Sequence, residues 1–219
     1  GGGGSGPAGS DGGGDDEAAF AEARERMVRD QIEARGVRGP RVLAAMRAVP
    51  RHRFVPDHLR DAAYEDTPLP IGHRQTISQP YIVAAMTEAL AAEADDVVLE
   101  VGTGSGYQAA ILSGLLAPLA EGARRALAET GVTNVEVRVG DGWRGVPAEA
   151  PYDGILVTAA PDVVPQALLD QLRVGGRLVI PVGDSFDQSL QVITRTERGF
   201  DTETLFGVRF VPLVPGGAD

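Results

Sequence analysis

A strand, a glycine loop and a helix follow one another without interruption near the middle of the chain. Residues 95–101 (DDVVLEV) are a short apolar run of strand type, residues 102–106 (GTGSG) are the loop, and a helical pattern starts at Gln108. This succession opens the nucleotide-binding unit of α/β proteins. The chain is therefore predicted to form an α/β sheet that binds a ligand at this loop.

Further strands are predicted along the rest of the chain, with a helix at residues 165–172 between them. The strand patterns fall at residues 135–139, 154–158, 177–181, 190–196 and 207–213. Alternating strands and helices predict parallel pairing, whereas consecutive strands predict antiparallel pairing. The expected fold is a Rossmann-like, mostly parallel sheet with an antiparallel C-terminal end.

The chain before residue 95 divides into a tail and a helical region. Residues 1–16 consist of glycine, serine and acidic residues with almost no apolar side chains, which predicts disorder. Residues 17–94 carry helical patterns at 17–34, 40–48 and 80–92, with a proline-rich loop over 54–79. With residues 95–219 as the ligand-binding region, we expect 17–219 to form one folded unit.

Composition limits the chemistry. The 219 residues include no cysteine, all 20 basic residues are arginine, and the formal net charge is −11. Schiff-base lysines, P-loop lysines and thiolate nucleophiles are thereby excluded, and a binder of nucleic acid phosphates is disfavoured. The three histidines lack metal-ligand spacing, so structural or surface roles are expected. The sequence also has no apolar run of membrane-spanning length, which favours a cytoplasmic protein without a membrane partner.

The spacing of the loop glycines distinguishes between ligands. Dinucleotide-binding proteins favour G-x-G-x-x-G, whereas Gly102, Gly104 and Gly106 alternate here and Glu100 precedes them. A carboxylate beside backbone amides suits a zwitterionic ligand. The alternative is a plain strand-to-helix connection that needs glycine for left-handed dihedrals.

These residues resemble motif I of class I S-adenosylmethionine-dependent methyltransferases, in the form EVGTGSGY at 100–107. Other segments resemble the protein-L-isoaspartate O-methyltransferase family more specifically, and they occur in family order: VPRHRFVP at 49–56, TISQPY at 76–81, GDG at 140–142, LRVGGRLVIPVG at 172–183 and VRFVPL at 208–213. The block QTIS-x-P at 75–80 is the most specific of them. The resemblance covers nearly all of the chain from about residue 27 to 213.

The resemblance implies methyl transfer from S-adenosylmethionine to the carboxylate of isoaspartyl residues in damaged proteins. The implied catalytic residues are Ser78 and Thr76, and the implied substrate-binding residues are Gln75, Ile77 and Arg209. The implied cofactor-binding residues are Glu100, Gly102, Thr103, Gly104, Gly106, Asp141, Gly142 and Thr158. A substrate carboxylate is already anionic at neutral pH, so the reaction needs no general base and fits a chain without lysine or cysteine.

Several of these residues also have simpler interpretations. Ser78 could be an ordinary N-cap of the following helix, and Asp141 could belong to a plain Asp–Gly turn. Arg209 could be a surface arginine.

The sequence departs from the family pattern in two places. Arg74 stands where the family usually has glycine. After the glycine loop the family has a second strand whose acid binds the ribose of the cofactor, and here residues 112–130 contain no β-branched run. Roughly nine or ten residues are missing relative to the usual spacing of a Rossmann unit. Two helical runs are expected to meet at Pro118 instead.

The main interpretation is therefore an isoaspartyl carboxyl methyltransferase whose substrates are isoaspartyl-containing proteins and which acts as a monomer. Arg74 leaves open a specialised peptide carboxyl methyltransferase. The missing strand leaves open a non-catalytic binding domain that has lost the use of the cofactor.

Overall fold

The computed structural model describes residues 12–116, 134, 136, 138 and 140–216. Helix α1 spans Gly12–Arg26 and continues through a π-helical turn at Met27–Ile32 and a 3-10 turn at Glu33–Arg35. It begins five residues before the predicted start, so the prediction of disorder is wrong for residues 12–16, while residues 1–11 lie outside the described part. An acidic residue in the first turn, Asp15, favours this early start because it interacts with the positive end of the helix dipole.

The remaining N-terminal elements agree closely with their patterns. Helix α2 spans Pro40–Ala48, as predicted, and α3 spans Pro80–Leu90, two residues shorter than predicted. Helix α3 ends early because Ala91 adopts a left-handed conformation, with φ of 51°. Between these helices, residues 51–54 and 57–62 form 3-10 turns.

A small hairpin precedes α3 and contains the first departure from the family pattern. Strand β1 (Leu69–Gly72) pairs antiparallel with β2 (Gln75–Ile77). His73 and Arg74 form the two-residue turn, with φ of 49° and 58°. Positive φ at both central residues is the type I′ geometry that glycine and asparagine favour. Arg74 therefore occupies a backbone position that explains why glycine is the usual residue there.

The main sheet contains five described strands. In chain order the elements are β3 (Val98–Val101), α4 (Tyr107–Leu116), β4 (Tyr152–Val157), α5 (Gln166–Asp170), β5 (Leu172–Gly183), β6 (Gln188–Thr196) and β7 (Gly199–Val208). Strands β3, β4 and β5 are parallel, and β6 and β7 follow antiparallel, giving the order β3-β4-β5-β6-β7. The predicted fold class is confirmed.

The prediction for the last strand is wrong. Strand β7 spans Gly199–Val208, so it contains only Gly207 and Val208 of the predicted residues 207–213, and Pro212 forms an isolated bridge with Ala160. A short turn after Thr196 sets the start of β7, whose residues are mostly exposed and whose centre, residues 201–204, is polar. Searching for apolar runs therefore selected VRFVPL in place of the true strand.

The predictions between α4 and β4 are mostly not testable. The expected strand at 135–139 is not observed at Glu136 or Arg138, and its three valines lie outside the described residues. The region of the missing strand and the expected helix junction at Pro118 falls on residues 117–133, which also lie outside.

Two hydrophobic clusters cover the two faces of the sheet. Adjacent residues of β4 alternate between them: Leu156 belongs to the larger cluster with α2, α3 and α4, and Ile155 to the smaller cluster with α5. Burial on both faces is typical of parallel strands with helices on each side. This packing fixes the carboxyl ends of β3 and β4 side by side, where the polar loops emerge.

Candidate functional site

A cleft of about 1720 Å³ opens at the carboxyl ends of the parallel strands. Every residue that was predicted to act at the site lines it, apart from Gly106. The lining comes from the β1–β2 hairpin, the edge strand β3, the glycine loop, helix α4, the loops around Asp141 and Thr158, the turn between β5 and β6, and the segment after β7. The carboxyl edge of an open α/β sheet is where ligands bind in this architecture.

The glycine loop passes close to the end of β4. Gly102, Gly104 and Gly106 have φ of 92°, 51° and 83°, a region that favours glycine. A Cβ at Gly102 would lie 2.7 Å from the Thr158 hydroxyl oxygen. Thr158 donates that hydroxyl to the carbonyl of Gly102 at 2.5 Å. Thr158 therefore lines the cleft, as predicted, and its hydroxyl also holds the glycine loop in place.

Gly106 takes a different role from the other two glycines. It lies outside the cleft lining, and its N–H donates to the Thr103 carbonyl at 2.8 Å. Its own carbonyl accepts from Ala110 in the first turn of α4. Gly106 therefore shapes the entry to the helix.

Glu100 carries an unsatisfied carboxylate oxygen. Its Oε1 atom is buried and has no hydrogen-bond partner in the described structure. Burial raises the pKa of Glu100 to about 7. A buried acid without a partner is costly unless a ligand supplies one. The ammonium group of a zwitterionic ligand would satisfy this oxygen, so the residues fit S-adenosylmethionine.

Asp141 and Gly142 form a tight turn on the opposite wall. The Asp141 carboxylate accepts a hydrogen bond from the Trp143 N–H at 2.9 Å, as in the plain Asp–Gly turn considered from the sequence. A Cβ at Gly142 would lie 2.7 Å from Val101 Cγ1, so glycine is required for this close approach. The indole N–H of Trp143 donates to the Leu213 carbonyl and ties the turn to the C-terminal segment.

The hairpin block places its side chains at the cleft with different exposures. Gln75 and Thr76 are exposed, Ser78 is partly buried, and Ile77 is only 3% exposed and packs in the larger cluster. The N-cap of α3 is Gln79, which caps it without a side-chain hydrogen bond. The capping interpretation of Ser78 is therefore wrong.

Arg209 is exposed and follows directly after β7. Within the described residues it forms neither an ion pair nor a hydrogen bond. Its neighbour Phe210 is held by Gln188, whose side chain accepts from the Phe210 N–H at 2.7 Å. Arg209 is thus a free cation on a fixed backbone at the cleft.

Sequence reasoning missed Gln108 and Phe186 as cleft residues. Gln108 is buried in α4, donates to the Thr87 hydroxyl at 2.9 Å, and leaves its own carbonyl oxygen without a described partner. A polar residue in an otherwise apolar helix was the available signal. Phe186 gave none, because a lone aromatic residue in a turn follows no periodic pattern.

The histidines are apart from the cleft. His52 is buried, bonds Tyr64 Oη through Nδ1 at 2.8 Å and stacks on Phe20, and burial lowers its pKa. His58 and His73 are exposed. In the described part of the chain, no three histidine or acidic side chains are grouped as metal ligands, and no helix is long and apolar enough to cross a membrane.

Comparison with known proteins gives consistent matches. The family model for "Protein-L-isoaspartate(D-aspartate) O-methyltransferase (PCMT)" matches residues 22–218. A protein-L-isoaspartate O-methyltransferase of Synechococcus sp. (strain JA-2-3B'a(2-13)) is 56% identical, covering 89% of this chain and 86% of the relative. One from Methanoculleus marisnigri is also 56% identical, covering 87% of this chain and 91% of the relative.

Solved structures agree with the fold. A protein-L-isoaspartate O-methyltransferase superimposes with a TM-score of 0.73 at 28% identity, covering 89% of this chain, which spans 66% of that one. A Plasmodium falciparum protein solved in complex with S-adenosyl-L-homocysteine gives 0.71 at 23% identity, covering 89% of this chain and 98% of that one. At that identity the second likeness concerns the fold alone.

The alignment with the Synechococcus relative also bears on the length of the chain. It runs over 211 positions, whereas 89% of this chain is about 195 residues, so about 16 positions have no residue of this chain opposite them. The predicted loss of nine or ten residues concerns the segment 112–130, most of which lies outside the described structure, and it stays a prediction.

Proposed function

The chain belongs to the protein-L-isoaspartate(D-aspartate) O-methyltransferase family, and we propose that it methylates the carboxylate of L-isoaspartyl residues in damaged proteins. It is an S-adenosylmethionine-dependent carboxyl methyltransferase. The identity of the relatives over most of the chain favours this activity over a specialised peptide methyltransferase or a non-catalytic binding domain.

The observation that carries the proposal is the convergence of distant segments on one cleft. Residues 75–78, the glycine loop, Asp141 and Arg209 are far apart in sequence and line the same cavity. Motifs that merely stabilise a fold have no reason to meet at the carboxyl edge of the sheet.

The proposed cofactor site is the end of the cleft formed by the glycine loop. We propose that Glu100 accepts from the cofactor ammonium group and that Gly102, Thr103 and Gly104 bring backbone groups close to it. Asp141, Gly142 and Thr158 would bound the same space. The cofactor supplies an electrophilic methyl group when it is bound. The buried, unpartnered Glu100 oxygen supports this assignment.

The proposed acceptor site is formed by the hairpin block and Arg209. The Ser78 and Thr76 hydroxyls would donate to the acceptor carboxylate and fix its direction, and Arg209 would pair with a second carboxylate of the substrate. Gln75 lies beside them, while Ile77 would support the block from the core. The chain's task is to align and desolvate a carboxylate that is already ionised.

The proposed activity is tested with labelled S-adenosylmethionine and two peptides that differ only in one isoaspartyl or aspartyl residue. We expect base-labile methyl ester on the isoaspartyl peptide and background on the aspartyl one. Equal labelling of both peptides, or none, would contradict the proposal. S-adenosylhomocysteine binding, measured by calorimetry, separates loss of cofactor binding from loss of acceptor recognition.

The role of Ser78 is tested by Ser78→Ala. Losing one orienting hydrogen bond is expected to lower kcat about tenfold, while the affinity for S-adenosylhomocysteine stays unchanged. Ser78→Thr keeps the hydroxyl and is expected to retain most of the activity. An unchanged kcat for the alanine variant would remove Ser78 from the acceptor site.

We further propose a cytoplasmic monomer that binds neither membranes nor nucleic acid. The acidic net charge of −11 supports the last point, because phosphate binding relies on clustered basic residues. Gel filtration at micromolar concentration tests the monomer.

A further inference from the structure

We propose that Phe186 is a specificity-determining residue that packs against an apolar side chain next to the isoaspartyl residue of the substrate. The inference rests on the proposed function and names the peptides that this site prefers. Nothing in the chemistry of methyl transfer requires an aromatic side chain at this position.

The exposure of Phe186 is the starting observation. The residue is 92% exposed, more than any other large apolar side chain in the described part of the chain, and it lines the cleft. Single exposed apolar residues are ordinary on protein surfaces, but an exposed aromatic residue beside a binding cleft has contact area available for a ligand.

The turn that carries Phe186 is held in a fixed conformation. Residues 184–187 connect β5 to β6 at the carboxyl edge of the sheet. One oxygen of the Asp184 carboxylate accepts from the N–H groups of Phe186 at 2.7 Å and Asp187 at 2.9 Å. Gly183 has φ of 141°, and a Cβ there would collide with the Asp187 carbonyl. Phe186 is therefore presented by a structured turn, which reduces the entropy lost on binding.

The turn lies beside the proposed acceptor site. Gln188, two residues after Phe186, pairs with Val208 across the sheet. Its side chain also bonds the N–H and the carbonyl of Phe210, at 2.7 and 3.2 Å. These contacts fix the backbone on both sides of Arg209 against the strand that follows the turn, and Arg209 and Phe186 line the same cleft. The proposal is that a peptide whose carboxylate meets Arg209 also passes Phe186.

The charges around Phe186 indicate which neighbouring side chain the site accepts. Asp184 and Asp187 are both exposed in the same turn, two residues before and one residue after Phe186. They repel an acidic side chain, whereas an apolar one gains contact with the ring. The substrate class is therefore an isoaspartyl peptide with an apolar neighbour.

The test compares isoaspartyl peptides that carry leucine, glycine or glutamate beside the isoaspartyl residue. For the parent chain we expect the lowest KM with leucine and the highest with glutamate. Phe186→Ala is expected to raise KM for the leucine peptide about tenfold, through loss of partial burial of the ring. In this variant the kcat for both peptides, and the KM for the glycine peptide, are expected to equal those of the parent chain. Phe200→Ala is the matched control, since Phe200 is 40% exposed at the opposite end of the sheet.

An equal rise of KM for the leucine and glycine peptides, or no rise for either, overturns the inference. S-adenosylhomocysteine affinity of Phe186→Ala, expected to match the parent, shows that the variant is folded. If the parent chain labels isoaspartyl and aspartyl peptides alike, the proposed function fails first. If it labels only the isoaspartyl peptides but Phe186→Ala keeps the leucine preference, this inference alone fails.

Asp184 is the positioning residue for the ring. Asp184→Ala removes the acceptor of two backbone hydrogen bonds and is expected to weaken the leucine preference in part, with kcat unchanged. Asp184→Asn keeps an acceptor oxygen and is expected to restore the preference. Equal preferences in both variants and the parent would show that the turn does not need this contact.

Discussion

At the scale of single residues, Glu100 has the strongest link between burial and function. Its carboxylate sits at the end of β3, with one oxygen buried and unpartnered, and burial raises its pKa to about 7. The free chain therefore holds Glu100 largely protonated below pH 7. A cationic ligand group would favour the ionised form, so ligand binding and proton release are coupled.

Glu100 predicts a pH-dependent affinity for S-adenosylhomocysteine. Since the carboxylate is the binding form, affinity is expected to rise about tenfold from pH 6 to pH 8 and to level off above the pKa of about 7. Glu100→Gln is expected to bind more weakly at pH 8 and to lose this rise. Glu203→Gln, on the exposed face of β7, is the matched control. Calorimetry at both pH values measures the effect, and a flat profile for the parent chain would contradict it.

The backbone at Arg74 gives a prediction about stability. Its φ of 58° is a left-handed conformation that disfavours residues with a Cβ. Arg74→Gly is expected to stabilise the chain by about 1 kcal/mol, which corresponds to a Tm increase of about 3 °C. Arg74→Ala keeps the Cβ and is expected to give no gain. Thermal unfolding of the three proteins measures the Tm. A similar rise in Tm for the alanine variant would show that the arginine side chain, and not its backbone conformation, destabilises the turn.

At the scale of elements, the carboxyl ends of β3 and β4 act as one unit. The Thr158 hydroxyl after β4 donates to the carbonyls of Val101 at 3.2 Å and Gly102 at 2.5 Å after β3. The glycine loop is therefore fixed by its neighbouring strand. This contact matters because β3 is the edge of the described sheet.

Thr158→Val tests this connection with little change of volume. The variant loses the hydroxyl contact that ties the Gly102 carbonyl to the end of β4, so S-adenosylhomocysteine is expected to bind about tenfold more weakly. Thr158→Ser keeps the hydroxyl and is expected to bind like the parent. Dissociation constants of the parent and the two variants are measured by calorimetry. Equal constants for Thr158→Val and the parent would show that the glycine loop keeps its conformation without this hydroxyl.

At the scale of the whole molecule, local patterns identified helices α2 and α3 and the parallel strands β3, β4 and β5, but not the start of α1. Helix α2 agrees residue for residue, because the proline at its first position and its apolar face are encoded within nine residues. The pattern failed for β7, whose polar residues pair with β6 in a hairpin. Such pairing depends on register with a neighbour, and the residues of the strand do not themselves encode it.

The sequence by itself determined the class of site, because an acid and alternating glycines at the end of a strand are a local arrangement with a local chemistry. It also identified the family through the residues at 75–80. The tertiary structure alone decided that Ser78 is not a helix cap, that Glu100 has an unpartnered buried oxygen, and that Phe186 and Arg209 line one cleft. Those properties arise when segments distant in the chain pack together, because the burial of a residue and its contacts depend on which other segments surround it in the folded chain.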